Sequence, residues 1–155
     1  MNGWLILHVL LVAAAVMLLA WLWQRRTRNA GVVDVVWSAG MAGSAVYYGL
    51  AANGAALPRA LVALLGGAWG LRLAWHLGRR VFGDAHEDGR YAYLRQHWRD
   101  HQGKFLLFFL AQALMIVLLS LPFWIVAHNP SAAFSGWTAA GIVVWLVAVA
   151  GESLA

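Results

Sequence analysis

Cysteine is absent from all 155 residues. That excludes a disulfide framework, a thiolate nucleophile and a thiolate metal site, and leaves the redox compartment open. Charge is scarce as well: Asp, Glu, Lys and Arg make up 11% of the chain, against about 25% in a typical soluble domain. No G-x-G-x-x-G and no P-loop occurs, so no glycine-rich loop stands ready to cradle phosphates. Only three prolines are present, near the ends of apolar runs or inside one. With no Pro/Gly/Ser-rich linker, low-complexity tract or fixed-period repeat, residues 1–155 read as one domain. Positive charge is also missing ahead of the first apolar run, where Met1 and Asn2 stand; a secretory signal would need it there, so the run is expected to be retained.

What is present is apolar. Hydrophobic residues reach 63%, ten of them tryptophan, and the mean hydropathy is +0.69, which is the composition of an integral membrane protein. The fold class is all-α, a polytopic transmembrane helical bundle of about five spans. The first runs from Gly3 to Trp23, the second from Ala30 to about Ala52 with Asn29 as its cap, and the third from Leu57 to Leu77. A fourth begins at Lys104 and ends near Ala127, with Pro122 expected to kink or end its last turn, and a fifth starts at Gly136. At about 1.5 Å per residue each can cross a core of roughly 30 Å. Between the third and fourth, Tyr91, Leu94 and Trp98 recur at helical spacing with Arg95, Arg99 and Asp100 between them. This pattern predicts an amphipathic helix at the membrane surface.

Loop charge orients the bundle. Arg25, Arg26, Arg28, Arg79, Arg80, Arg90, Arg95, Arg99 and Lys104 follow the first and third spans, nine of the eleven basic residues. The positive-inside rule then puts that side in the cytoplasm, the N-terminus outside and the C-terminus inside. Trp4, Tyr47, Tyr48, Trp124 and Trp137 are expected at the outer interface. The net charge of +5 is thus explained by topology and anionic lipid, with no basic domain left over for nucleic acid.

The stretch from Gly70 to Trp98 carries most of the chemistry. Arg72 and His76 lie four apart on one helix face, continued by Arg79 and Arg80 and then by a loop holding Asp84, His86, Glu87, Asp88 and Arg90. Asp34 and Arg72 are each five residues in from an expected span end. They would stand at matching depth and could pair, offsetting the roughly 2.5–3.5 kcal/mol that a charge otherwise costs there. Glu152 would join Asp34, Arg72 and His76 at that level. His97 and His101 have i, i+4 metal spacing, but no Glu follows the first His and Arg95 and Arg99 flank them. A solvated face is the reading, with no metal site.

Taken together, NAGVVDVVWSAG (29–40), WGLRLAWHLGRRV (69–81), EDGRYAYLR (87–95) and GESLA (151–155) resemble the bacterial membrane proteins related to steroid 5α-reductases, over nearly the whole chain. The same architecture is shared by isoprenylcysteine carboxyl methyltransferases and sterol reductases. The resemblance implies an inner-membrane bundle of six or seven spans that binds NADPH in its cytoplasmic half and reduces the C=C bond of a lipophilic enone arriving from the membrane. Asp34, Arg72 and His76 are then the expected catalytic residues, with Asp34 as the acid at the carbonyl oxygen. Arg79, Arg80, Arg90, Tyr91 and Arg95 would contact phosphate and ribose. Steroid reductases hold the carbonyl with a Glu on the second span and a Tyr on the third; the second span here offers Asp34 and the third has no Tyr, which argues against a steroid. The resemblance also implies a further loop and spans beyond GESLA, so this stretch is expected to be an N-terminal part that cannot complete a catalytic cycle. The alternatives are an S-adenosylmethionine-dependent membrane methyltransferase and a non-enzymatic membrane module.

Overall fold

The computed structural model describes residues 2–83 and 86–154; Asp84, expected among the loop charges, lies outside them. The described residues form six helices and no strand. They are α1 (Trp4–Thr27), α2 (Val32–Ala51), α3 (Ala56–Gly83), α4 (Gly89–His97), α5 (Gln102–Ala127) and α6 (Gly136–Leu154). Within α3, a π-helical stretch, Val62–Gly66, separates Ala56–Leu61 from Gly67–Gly83. Helices α1, α3, α5 and α6 are each long and apolar enough to cross a membrane.

The 20-residue α2 is not among those four, yet it is the centre of the bundle. It packs against α1, α3 and α5, and its buried face is built from small residues, including Ser38, Ala42, Ser44, Ala45 and Gly49. Close approach takes the place of apolar bulk: a Cβ added at Gly70 of α3 would stand 2.8 Å from the Ala42 Cβ, and one at Gly66 2.7 Å from the Ala45 Cβ. Helices α1 and α5 run antiparallel through a four-residue ridge, Leu5, Val9, Ala13 and Met17 on one and Phe105, Phe109 and Ala113 on the other. Trp21 Nε1 donates to the Gln102 carbonyl at one end, and Trp124 Nε1 donates to the Asn2 carbonyl at the other.

Several boundaries differ from the sequence reading for identifiable reasons. Helix α3 continues six residues past Leu77 to Gly83, because Arg79 and Arg80 can project into water while the backbone stays helical. Asn29 does not cap α2. Its Oδ1 accepts from the Gly31 N–H and its Nδ2 donates to the Val81 carbonyl, while the Ala30 N–H donates to Glu87. Pro122 does not end α5, which runs five residues further. Tyr48, expected at the outer interface, is fully buried. The surface helix forms as α4, with Tyr91 buried and Leu94 and Trp98 packed on the core.

Candidate functional site

At the basic end, where α2 begins and α3 finishes, a polar cavity of about 270 Å³ is lined by Asn29, Asp34, Arg80, Glu87, Asp88 and Arg90, among others. Three sequence features create it. Gly31 lets α2 start tightly against α3 and α4, since a Cβ there would stand 3.2 Å from Val81 and 3.9 Å from Tyr91. Asp88 then caps α4, its Oδ1 accepting from the Arg90 N–H at 2.9 Å. Tyr91, one turn into α4, is drawn under α2, where its hydroxyl donates to Asp34 Oδ1 at 2.7 Å.

Asp34 also accepts from Arg90 at 3.2 Å through its other oxygen. Asp88 lies between two guanidinium groups, Arg80 at 2.7 Å and Arg90 at 3.1 Å. Together with the Arg90 N–H, these form an anion cradle at a helix N-terminus whose occupant is the chain's own carboxylate. The hydrogen bonds of the Arg90 side chain, and next those of its backbone, hold Asp88 below the ordinary carboxylate range. Burial, then the hydrogen bond to Asp34, pushes the Tyr91 phenol far above its ordinary value. Tyr91 therefore keeps its proton and acts as a neutral donor.

Beside the cavity a second network fastens α4 to the bundle. Arg95 donates to both Glu87 oxygens at 3.0 and 2.8 Å, to Asp100, and to the buried Gln24 at 3.2 Å, and its guanidinium lies over the Phe105 ring. Asp100 also accepts from Arg28 at 2.8 Å. Arg99 and Asp100 both adopt positive φ, 53° and 55°, a left-handed pair worth about 1–2 kcal/mol of strain per residue that these hydrogen bonds offset. For Asp100, burial acts upward, but the hydrogen bonds from Arg95 and Arg28 outweigh it and its carboxyl titrates low. A depressed carboxylate contributes stability that is present above its unfolded value, about 3.9, and lost as pH falls through the folded value. The melting midpoint is therefore expected to hold from neutral pH to about pH 5 and to fall below about pH 4, with Asp100→Asn lowering the plateau and flattening the acid limb. A midpoint unchanged at pH 3 in the native protein would refute this.

The structure divides the residues singled out in the sequence. Asp34, Arg80, Arg90 and Tyr91 come together, while Arg79, next to Arg80 on α3, is exposed and does not line the cavity. The expected Asp34 to Arg72 pair does not form. Asp34 is the third residue of α2, about 3 Å along it, whereas Arg72 is eleven residues before the end of α3, about 16 Å from it. Arg72 instead pairs with Glu152 at 3.0 Å and donates to Ser153, while Trp69 donates to Glu152. This contact ties the end of α6 to the middle of α3. His76 is exposed and lines neither that contact nor the polar cavity, so the four-residue convergence is not made. Arg95, expected to meet phosphate, is a buried strut. Glu87 and Asp88 were read only as loop charge; no periodicity marks a loop carboxylate as a partner, although Asp88 sits two residues before Arg90 in a capping position.

Residues 20–155 match the family model described as "Protein of unknown function (DUF1295)". No curated protein and no solved structure matches the chain.

Proposed function

The chain belongs to the DUF1295 family, and on that premise we propose that it is an NADPH-dependent, reductase-like membrane protein acting on the C=C bond of a lipophilic enone. The observation that carries this reading is the anion cradle of Arg80, Arg90 and the Arg90 N–H, filled by Asp88 and sharing a cavity with Asp34, behind which the buried Tyr91 donates to Asp34. The donor set suits a phosphate, since two guanidinium groups and a helix N-terminal amide match its oxygens, and such an anion would take the place of Asp88. Bound NADPH would supply a hydride to the β-carbon of the enone, and water from the cytoplasmic side the proton that completes the α-carbon. Tyr91 is a neutral phenol whose single proton goes to Asp34 in this structure; turned from Asp34 to a carbonyl oxygen, the same hydroxyl would polarise it, and Asp34 holds the phenol in place until then. Asp34 accepts through both oxygens, so it acts here as an orienting group rather than as the acid itself. This acid and phenol come from the second span and the surface helix, where the resembling steroid reductases draw them from the second and third spans. Arg72 and His76 have no part in this reading. Loop charge supports a cytoplasmic basic end, which is where NADPH is available.

Binding of NADPH to the native protein in nanodiscs tests this. Arg80→Ala and Arg90→Ala are each expected to weaken it about tenfold, the loss of one charge-assisted contact, and Asp88→Asn to strengthen it by vacating the cradle. Tyr91→Phe should leave binding in place and slow enone-dependent NADPH oxidation. Saturable binding of S-adenosylmethionine, which carries no phosphate, insensitive to both arginine substitutions would identify a methyltransferase instead. Binding of neither cofactor would assign the cradle to structure alone.

A further inference from the structure

On the other side of α2 lies a larger and chemically different cavity. It has a volume of about 630 Å³ and runs between α1 and α2, with Ile116 of α5 behind it. Gly43, on its wall, follows Asp34 by nine residues, about two and a half turns, and so faces away from the polar site. Leu11, Val12 and Val16 of α1 form one wall and are exposed at its mouth, while Ala39, Gly40 and Gly43 of α2 form a floor without bulk. A Cβ at Gly43 would meet nothing within 4 Å. The size is that of a small-molecule site, about 300–1,000 Å³.

Polarity is confined to one end. His8 Nδ1 and the Tyr47 hydroxyl share a hydrogen bond of 2.8 Å, with Trp4 edge-on to His8 at 5.0 Å. His8 is four residues from the start of α1 and Tyr47 four from the end of α2, each about 6 Å in from a helix end. That is the depth at which an amphiphile turns from polar to hydrocarbon. Among the described residues, no Lys or Arg lines the cavity beside this pair. Arg59 directs its Nε and one terminal nitrogen to the Gly49 and Leu50 carbonyls, and His128 is engaged by the Asn2 N–H and the Trp124 carbonyl. A phosphate would find no countercharge there, whereas a hydroxyl or carbonyl would find a donor and acceptor. In a bilayer the rest of the groove can be filled only by hydrocarbon.

We infer that the α1–α2 groove is a binding site for an uncharged lipophile, with its single hydroxyl or carbonyl on the His8 and Tyr47 pair and its hydrocarbon body along Gly43 toward Val16. This site is independent of the reductase reading. The test uses a long-chain alcohol carrying a diazirine in its tail, photolysed with the native protein in nanodiscs and mapped by mass spectrometry, beside an anionic phospholipid with the same tail. Alcohol labelling is expected on α1 and α2, to saturate, and to exceed phospholipid labelling. Gly43→Leu should abolish it by filling the floor, and Tyr47→Phe should raise the half-saturating concentration about tenfold. Should Gly43→Leu lose its helical melt, Val12→Trp blocks the same groove from the opposite wall. Labelling that does not saturate, that is equal for the phospholipid, or that survives both groove-filling variants would overturn the site and leave ordinary boundary lipid.

Discussion

Gly70→Leu is expected to cost about 3 kcal/mol or more, beyond the usual range of overpacking because the obstacle is main chain. A Cβ at Gly70 would stand 2.8 Å from the Ala42 Cβ, 2.8 Å from the Ala42 nitrogen and 2.9 Å from the Ser38 carbonyl oxygen. Two of those atoms are backbone, so no rotamer change relieves the clash and α3 must move off α2. The displacement would open the interface that positions Arg80 and Val81 over Asp34. At roughly 2–4 °C per kcal/mol for a chain of this length, the melting midpoint should fall by roughly 6–12 °C. Gly141→Leu on α6, where a Cβ meets nothing within 4 Å, serves as the control and should leave the midpoint in place. Equal midpoints for the two variants would mean that α2 and α3 are not in the close contact described.

Arg95→Ala should be nearly as damaging, by an electrostatic route. Arg95 and Glu87 side chains are 12% and 11% exposed, so removing one partner leaves the other largely out of water and uncompensated, at a cost toward the low end of the about 3–5 kcal/mol of a fully buried pair. Glu87 also holds the Ala30 N–H, so the start of α2 loses its external acceptor when Glu87 is free to turn away. The comparison is Arg80→Ala. That side chain is 59% exposed, and its pair with Asp88 is worth about 0–1 kcal/mol. Replacing both members of the buried pair, Arg95→Met with Glu87→Gln, should cost less than the two single changes added together, since neither residue is then left charged without a partner. Thermal melts of the five variants, Arg95→Ala, Arg80→Ala, Arg95→Met, Glu87→Gln and the double, read this directly. If Arg95→Ala and Arg80→Ala are indistinguishable, the strut role of Arg95 is refuted.

Helix number and order were legible because apolar runs of 20 or more residues have few other solutions, and α4 was legible because Tyr91, Leu94 and Trp98 share one face. The bringing together of Asp34 with Arg90 and Tyr91 was not. Hydrophobic periodicity reports which face of a helix is buried and says nothing about which charges meet across loops 56 or 80 residues apart. Depth was misjudged for a related reason: placing the end of the third span at its last apolar residue, Leu77, put Arg72 about 9 Å too close to the surface, and this made a pair with Asp34 look natural. Ser38, Ala42 and Gly49 look weakly membrane-like in sequence, yet they are what allows α2 to lie at the centre.

That central position bears on how the protein sits in its membrane. Helix α2 begins with an acidic first turn at Asp34 and buries a face of small residues, and a charge carried into hydrocarbon is costly, so neighbouring helices rather than lipid surround it along that face. Its native surroundings are protein on three sides. Helix α2 thus depends on α3, whose Gly66 and Gly70 receive it, and a change that separates the two would leave an acidic turn and a small-residue face turned toward lipid.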